Sequence, residues 1–76
     1  MPTIARLSAS TVNMYASDHL PPHFHVRMND GREALVEIAT MSVIRGAIPA
    51  RELAEPLKWA RANADLLARK WLELNP

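Results

Sequence analysis

Residues 23–38 read HFHVRMNDGREALVEI, and they predict the β-hairpin on which the fold depends. Apolar and polar residues alternate on both sides of the Asn-Asp-Gly tripeptide at 29–31, which is a strong turn signal. A two-residue Asp-Gly turn would place the histidines on the same face as Val36 and Ile38. A three-residue turn with Gly31 in the left-handed conformation keeps both apolar sets together, because a one-residue shift exchanges the two faces of a strand. This second register pairs Arg27 with Glu33, His25 with Leu35, and His23 with Glu37.

Shorter segments on either side of the hairpin predict further strands. Thr3–Leu7 reads as an edge strand that tolerates Pro2 at its start. Residues 11–16 alternate cleanly and predict a half-buried strand, and Met41–Ala47 predicts a short strand that ends near Gly46. Because both outer segments are short, we count the hairpin, the strand over 11–16 and at most one outer segment, and expect an antiparallel sheet of three to four strands.

The C-terminal third of the chain predicts an amphipathic helix that begins near Pro49. Apolar residues recur at spacings of four and three from Leu53 to Leu74. An unbroken helix over 50–75 would be about 39 Å long, longer than the ~30 Å width of a domain of this size. Pro56 also lacks the backbone donor that a helix interior needs. We therefore expect a break or kink near Glu55–Pro56, and an α+β fold with one long C-terminal helix packed on one face of the sheet.

Length and composition restrict the class of protein. The 76 residues form one small α+β domain spanning 1–76. The chain has no cysteine, which excludes disulfides and thiolate metal sites and agrees with a reducing cytoplasm. No apolar run reaches the ~20 residues of a membrane span, and no secretion signal opens the chain. The net charge of +1 does not by itself favour nucleic-acid binding. We expect a cytoplasmic protein without membrane association.

The most distinctive segment is residues 18–26, DHLPPHFHV, which contain all three histidines of the chain. If the helix covers the face that carries Phe24 and Val26, then His23 and His25 lie on the opposite, more exposed face. The expected binding surface comprises Asp18, His19, His23, His25, Arg27 and Glu37. The alternative is a purely structural role, in which the loop carboxylate caps the loop and the imidazoles form hydrogen bonds.

The His-x-His spacing also permits a metal site. Two imidazoles on one strand face lie about 7 Å apart at their bases and can reach one ion. The candidate ligands are His23, His25 and Glu37, with Asp18 or His19 supplying a ligand from the loop. Such a set suits zinc, iron or copper. A divalent metal is thus a candidate cofactor, although the residues do not require one.

The same residues support acid–base chemistry without a metal. His19 or His23 would be the catalytic acid or base, because an unperturbed imidazole titrates near neutral pH. Arg27 or Arg32 would hold a phosphate. This interpretation predicts a small hydrolase, most plausibly a metal-independent ribonuclease.

Several motifs together resemble a known family. They are Met1–Ile4, Met14-Tyr15, the run at 18–26, Gly46, Pro49-x-Arg51, Trp59-Ala60 and Trp71. In these features the chain resembles a small bacterial family, domain of unknown function 4160, over essentially its whole length. The family brings no established activity. The resemblance implies a bacterial cytoplasmic protein from a toxin–antitoxin-like or regulatory gene pair, with a small protein partner encoded nearby or a nucleic-acid partner; a homodimer is also open.

We therefore expect, as the leading hypothesis, a non-enzymatic interaction module that binds protein or nucleic acid through the histidine-bearing sheet face. The alternatives are the ribonuclease or hydrolase and the divalent-metal-binding protein.

Overall fold

A computed structural model describes residues 3–76, in which five β-strands precede two helices. The elements are β1 (Thr3–Arg6), β2 (Ser10–Asn13), β3 (His23–Met28), β4 (Glu33–Glu37), β5 (Val43–Arg45), α1 (Ala50–Ala62) and α2 (Ala64–Leu74). The strands form one antiparallel sheet in sequential order. The α+β class is confirmed, whereas the expected three to four strands and single helix are corrected to five strands and two helices. The role expected of Pro2 lies outside the described residues.

The β3–β4 hairpin has the register that the sequence predicts. The cross-strand pairs include His23 with Glu37, His25 with Leu35, and Arg27 with Glu33. Gly31 has φ 97°, and its N–H donates to the carbonyl of Met28 at 2.9 Å. The three-residue turn is confirmed, and it places the apolar residues of both strands on one face.

That apolar face forms the core together with the helices. Val12, Val26 and Ala34 are paired across three strands, and all three are fully buried. The helices cover this face with Leu53, Ala60, Leu67 and Trp71, each buried in the same hydrophobic cluster. The side chains at the remaining, alternate positions of the strands point to the opposite face, which we call the outer face. His25 and Arg27 are among them.

The two outermost strands are short, which explains why the strand count was underestimated. β1 has four residues and β5 has three, and both pair with a shift of register. All three residues of β5 are exposed, so its sequence carries no alternation of burial. β5 is joined to α1 through Gly46, where φ is 103°.

The helical region breaks at Asn63 and continues through Pro56, contrary to the expected break at Glu55–Pro56. Pro56 is buried in the packed face of α1, so its packing compensates for the backbone donor that it lacks. Asn63 leaves the helical conformation, with φ −124° and ψ 28°, and its side-chain amide donates to the carbonyl of Trp59 at 2.8 Å. The molecule measures 32 Å in its longest dimension, which is shorter than an unbroken helix over 50–75 would be. The break that this length predicts is present, but the predicted position of the break is wrong.

Gly46 and Gly31 offer a matched test of this architecture. Both have positive φ, but a Cβ on Gly46 would lie 2.6 Å from the carbonyl oxygen of Glu33, whereas a Cβ on Gly31 meets nothing within 4 Å. We expect Gly31→Ala to cost about 1–3 kcal/mol of unfolding free energy through backbone strain alone. Gly46→Ala should cost clearly more, because the β4 backbone must also move. Urea unfolding followed by circular dichroism measures both, and equal losses would contradict the close approach of Gly46 to β4.

Candidate functional site

The loop between β2 and β3 brings Asp18 to the beginning of β3. The backbone of this loop is joined to the end of α2 at three points, one of which is the carbonyl of Tyr15, which accepts from Nδ2 of Asn75 at 3.3 Å. The N–H of Asp18 donates to Oδ1 of Asn75 at 2.7 Å, and the N–H of Ser17 donates to the carbonyl of Leu74 at 3.4 Å. The loop therefore crosses from the sheet to the helix layer, with Asp18 facing the histidines of β3.

The Asp18 carboxylate contacts all three histidines. Its Oδ1 accepts hydrogen bonds from the backbone N–H and from Nδ1 of His19, both at 2.9 Å. Its Oδ2 lies 3.0 Å from Nε2 of His23 and 3.3 Å from Nε2 of His25. One carboxylate thus gathers the imidazoles that the sequence placed within seven residues.

These contacts hold Asp18 in its ionised form. Partial burial is the largest single influence and opposes ionisation, which raises the pKa of the carboxyl. The hydrogen bonds from His25 and from the backbone of His19, with the electrostatic attraction of His23, outweigh burial and lower the pKa to about 2. Asp18 is therefore an anion at any physiological pH.

His23 is fully buried, so the expectation that it lies on an exposed face is wrong. Although it is the first residue of β3, its ring packs against Trp71 of α2, with centroids 5.2 Å apart. Nδ1 lies 2.7 Å from the carbonyl oxygen of Pro21. Nε2 has no hydrogen-bond partner among the described residues, because Oδ2 of Asp18 is close to it but not aligned with it.

His25 lies on the outer face of the sheet and is mostly covered. Its Nε2 forms the hydrogen bond to Asp18 already described, and its Nδ1 lies 3.6 Å from Oε1 of Glu33 without a hydrogen bond. The ring of Tyr15 meets it edge to face, with centroids 4.5 Å apart. The ring is thereby fixed between an aromatic side chain and two carboxylates.

Asp18, His23 and His25 together have the geometry of a metal-ligand set. One ligand atom from each lies within 4.8 Å of the others. Ligands about 2.1 Å from a tetrahedral ion are separated by roughly 3.4 Å. The separations of 3.0 Å and 3.3 Å between Oδ2 and the two Nε2 atoms are close to that value.

The other residues expected at the site are placed differently. Glu37 lies outside the ligand group, and its Oε1 accepts a hydrogen bond from Thr40 at 2.7 Å. His19 bonds to Oδ1 of Asp18 and its ring lies 5.3 Å from that of His23, but its side chain is 72% exposed and is not in the ligand group. Arg27 is exposed on the outer face of the sheet. The acidic residue of the ligand group is thus Asp18 of the loop, and not Glu37 of the neighbouring strand.

Sequence reasoning missed the residue that holds the loop. Asn75 is 57 positions from Asp18 along the chain, and no local pattern joins the two. Trp71 was expected only as a core residue, yet its ring also contacts His23. Both contacts arise from tertiary packing, which the hydrophobic periodicity of the sequence does not indicate.

The chain belongs to a family whose model is described as a domain of unknown function (DUF4160) and matches residues 11–72. The match confirms the resemblance seen in the sequence and includes Asp18, His23 and His25. No curated protein and no solved structure matches the chain. Within residues 3–76, none of the helices has the length and apolar character that a membrane crossing requires.

Asp18→Asn tests the electrostatics of the site. Because the pKa of Asp18 is lowered from 3.8 to about 2, its stabilising contribution is complete above pH 3.8 and is lost as the pH falls through about 2. We expect Asp18→Asn to reduce the unfolding free energy by up to about 2 kcal/mol at pH 7, and the difference from wild type to shrink as the pH approaches 2. Urea unfolding at several pH values measures this.

The matched control is Glu73→Gln, at an exposed carboxylate whose only described partner is Lys70. It should have little effect at any of these pH values. A penalty for Asp18→Asn that does not change with pH would show that the carboxylate charge is not what stabilises the loop.

Proposed function

We propose that this protein binds one divalent transition-metal ion through Asp18, His23 and His25. The observation that carries the proposal is Nε2 of His23, which is fully buried without a hydrogen-bond partner among residues 3–76 and lies 3.0 Å from a carboxylate oxygen. Buried polar atoms are almost always satisfied. A cation placed between this nitrogen and the carboxylate would satisfy both.

The protonation state of His23 favours this use. The carbonyl of Pro21 can only accept a hydrogen bond, so Nδ1 of His23 carries the proton that is donated to it. In the neutral ring the lone pair is then on Nε2, which faces Asp18 and His25. Metal-binding histidines usually donate their second ring nitrogen to a carbonyl or carboxylate in this way.

His25 has a matching arrangement. When its Nε2 binds a cation, its proton resides on Nδ1, which lies 3.6 Å from Oε1 of Glu33. Glu33 is half-exposed, and a small shift of its side chain would let it accept this proton. Both imidazoles thus have an oxygen near the ring nitrogen that faces away from Asp18, and both direct Nε2 towards Asp18.

Two imidazoles and one carboxylate form a donor set that suits zinc or iron(II) and leaves coordination positions open. An open position allows the ion to bind water or an anionic ligand and to act as a Lewis acid. A cleft of about 520 Å³ lies beside Asp18, lined in part by Leu20, Trp71 and Asn75. The cleft gives access to Asp18 but is lined by neither histidine. Asp18 and His25 both keep part of their side-chain surface exposed, whereas His23 is buried.

Metal titration tests this proposal, with His19→Ala as a matched control. His19 contacts the same carboxylate but lies outside the ligand group. Calorimetry with Zn²⁺ should show one site, with affinity lowered at least about 100-fold in His23→Ala and in His25→Ala. His19→Ala should lower it by no more than about tenfold, because His19 supports the carboxylate without binding the ion. Affinity should also fall as the solution is acidified, because protons compete with the ion for the ligand atoms.

Two results would overturn the proposal. One is the absence of saturable binding in wild type. The other is a loss of affinity in His19→Ala as large as that in the ligand variants. His25 is less buried than His23, so His25→Ala keeps the test decisive if His23→Ala does not fold.

We propose as a second function that the outer face of the sheet binds a nucleic-acid backbone, as an interaction module of the kind expected for a toxin–antitoxin-like pair. The supporting observation is a set of three exposed arginines, Arg6, Arg27 and Arg45. None of them has a carboxylate within ion-pair distance in the described part of the chain. Arg32, in contrast, is paired with Asp30 and Glu52.

The strand register places the three arginines on one face. Arg6 and Arg27 both align with Thr11, one on each side of β2, which separates them by about 10 Å. Arg45 aligns with Leu35 in the row that also contains His25. Arginine is the side chain that most often contacts phosphates. The distance between Arg6 and Arg27 is long enough to span two or more phosphates of one strand.

Binding of a labelled single-stranded RNA tests this second function. Fluorescence anisotropy should show affinity that falls with salt, and Arg27→Ala should weaken binding and lower the slope of log K against log salt by about 0.7. Arg69→Ala, an exposed arginine in the helix layer, should leave both unchanged. The proposal is overturned if wild type does not bind at low salt, or if both variants weaken binding equally; a protein partner would then be the better candidate.

A further inference from the structure

The side chain of Asn75 forms three hydrogen bonds, two to the loop that carries Asp18 and one to α2 itself. Its Oδ1 accepts from the backbone N–H of Asp18 at 2.7 Å. Its Nδ2 lies 3.3 Å from the carbonyl oxygens of both Tyr15 and Trp71 and donates to each. The donor on one side and the two carbonyls on the other determine which atom of the amide is the oxygen.

The anchor for these bonds is rigid. Asn75 follows the last residue of α2, and its backbone N–H donates to the carbonyl of Trp71 at 2.8 Å. Trp71 is 4% exposed and belongs to the hydrophobic core. The same turn of helix that contacts the ring of His23 therefore also holds the backbone of Asp18.

The three candidate ligands differ in how they are supported. His23 and His25 lie on β3, which is hydrogen-bonded to strands on both sides. Asp18 lies on a loop, and its backbone N–H has no strand partner but bonds to Asn75. The position of the carboxylate relative to the two imidazoles is thus the least constrained part of the site, and Asn75 is the side chain that constrains it.

We infer that Asn75 is a positioning residue of the metal site, and that the end of α2 thereby adjusts metal affinity without contacting the ion. The inference depends on the proposed metal-binding function. Residues behind a ligand commonly change metal affinity by about 10- to 100-fold, because they determine how much the ligand must reorganise when the ion binds.

The test compares wild type with Asn75→Ala and with the exposed variant Glu73→Gln, two residues earlier along the chain. We expect Zn²⁺ affinity to fall about tenfold or more in Asn75→Ala and to remain within about twofold in Glu73→Gln. The visible absorption of bound Co²⁺ should also change in Asn75→Ala, because displacement of Asp18 alters the coordination geometry. Urea unfolding of the metal-free proteins establishes that each variant is folded under the assay conditions.

A second variant keeps the test decisive if Asn75→Ala is unstable. Asn75→Gln retains the amide on a stem one methylene longer, so it should displace Asp18 and change the Co²⁺ spectrum while circular dichroism remains that of wild type. The inference is overturned if wild type binds the ion and both Asn75 variants bind it with the same affinity and spectrum, in which case the metal site itself still stands. If wild type binds no Zn²⁺, the proposed metal-binding function fails instead.

Discussion

The three-residue turn at Gly31 is the constraint on which the rest of the structure depends. By pairing Arg27 with Glu33 it directs Phe24, Val26 and the alternate residues of β4 towards the helices. The same register places Glu33 on the outer face, where its carboxylate approaches Nδ1 of His25. A shift of one residue would exchange the two faces. It would remove the core and separate the histidine from its carboxylate at the same time, so the fold and the site share a single determinant.

This determinant could be predicted because it is local. The turn tripeptide and the alternation on each side of it lie within 16 residues, and only one register satisfies both. The helix break shows the opposite case. Pro56 is the stronger local breaking signal, yet its ring is buried in the core, and the break occurs at Asn63, whose side chain bonds to the carbonyl of Trp59. The sequence alone predicted a break only near Glu55–Pro56, and tertiary packing placed it at Asn63 instead.

The sequence likewise predicted which residues lie at the candidate site, but not how deeply each of them is buried. The clustering of histidines and an aspartate within residues 18–25 pointed to side chains that the fold does bring together. The assumption that a strand residue opposite the core faces solvent failed for His23, because the end of α2 reaches that position and Trp71 covers the ring. Glu37 was a reasonable ligand by cross-strand pairing, yet the pairing aligns its backbone with His23 while its carboxylate bonds to Thr40. Alignment of two residues in a register does not ensure that their side chains converge.

The burial of His23 favours a ligand role for this residue over solvent-facing acid–base chemistry, for which the exposed His19 is the better placed of the two candidates. A general acid or base must reach the atom from which it takes or to which it gives a proton, and the ring of His23 is enclosed by protein. A ligand role has no such requirement, since the ion needs only one open side, and the side chains of Asp18 and His25 are both partly exposed. An ion at that point would link β3, the preceding loop and, through Asn75, the end of α2. In a domain of 76 residues without cysteine, such a link would add to the stability that a small core can supply, because any ligand that binds only the folded state stabilises it.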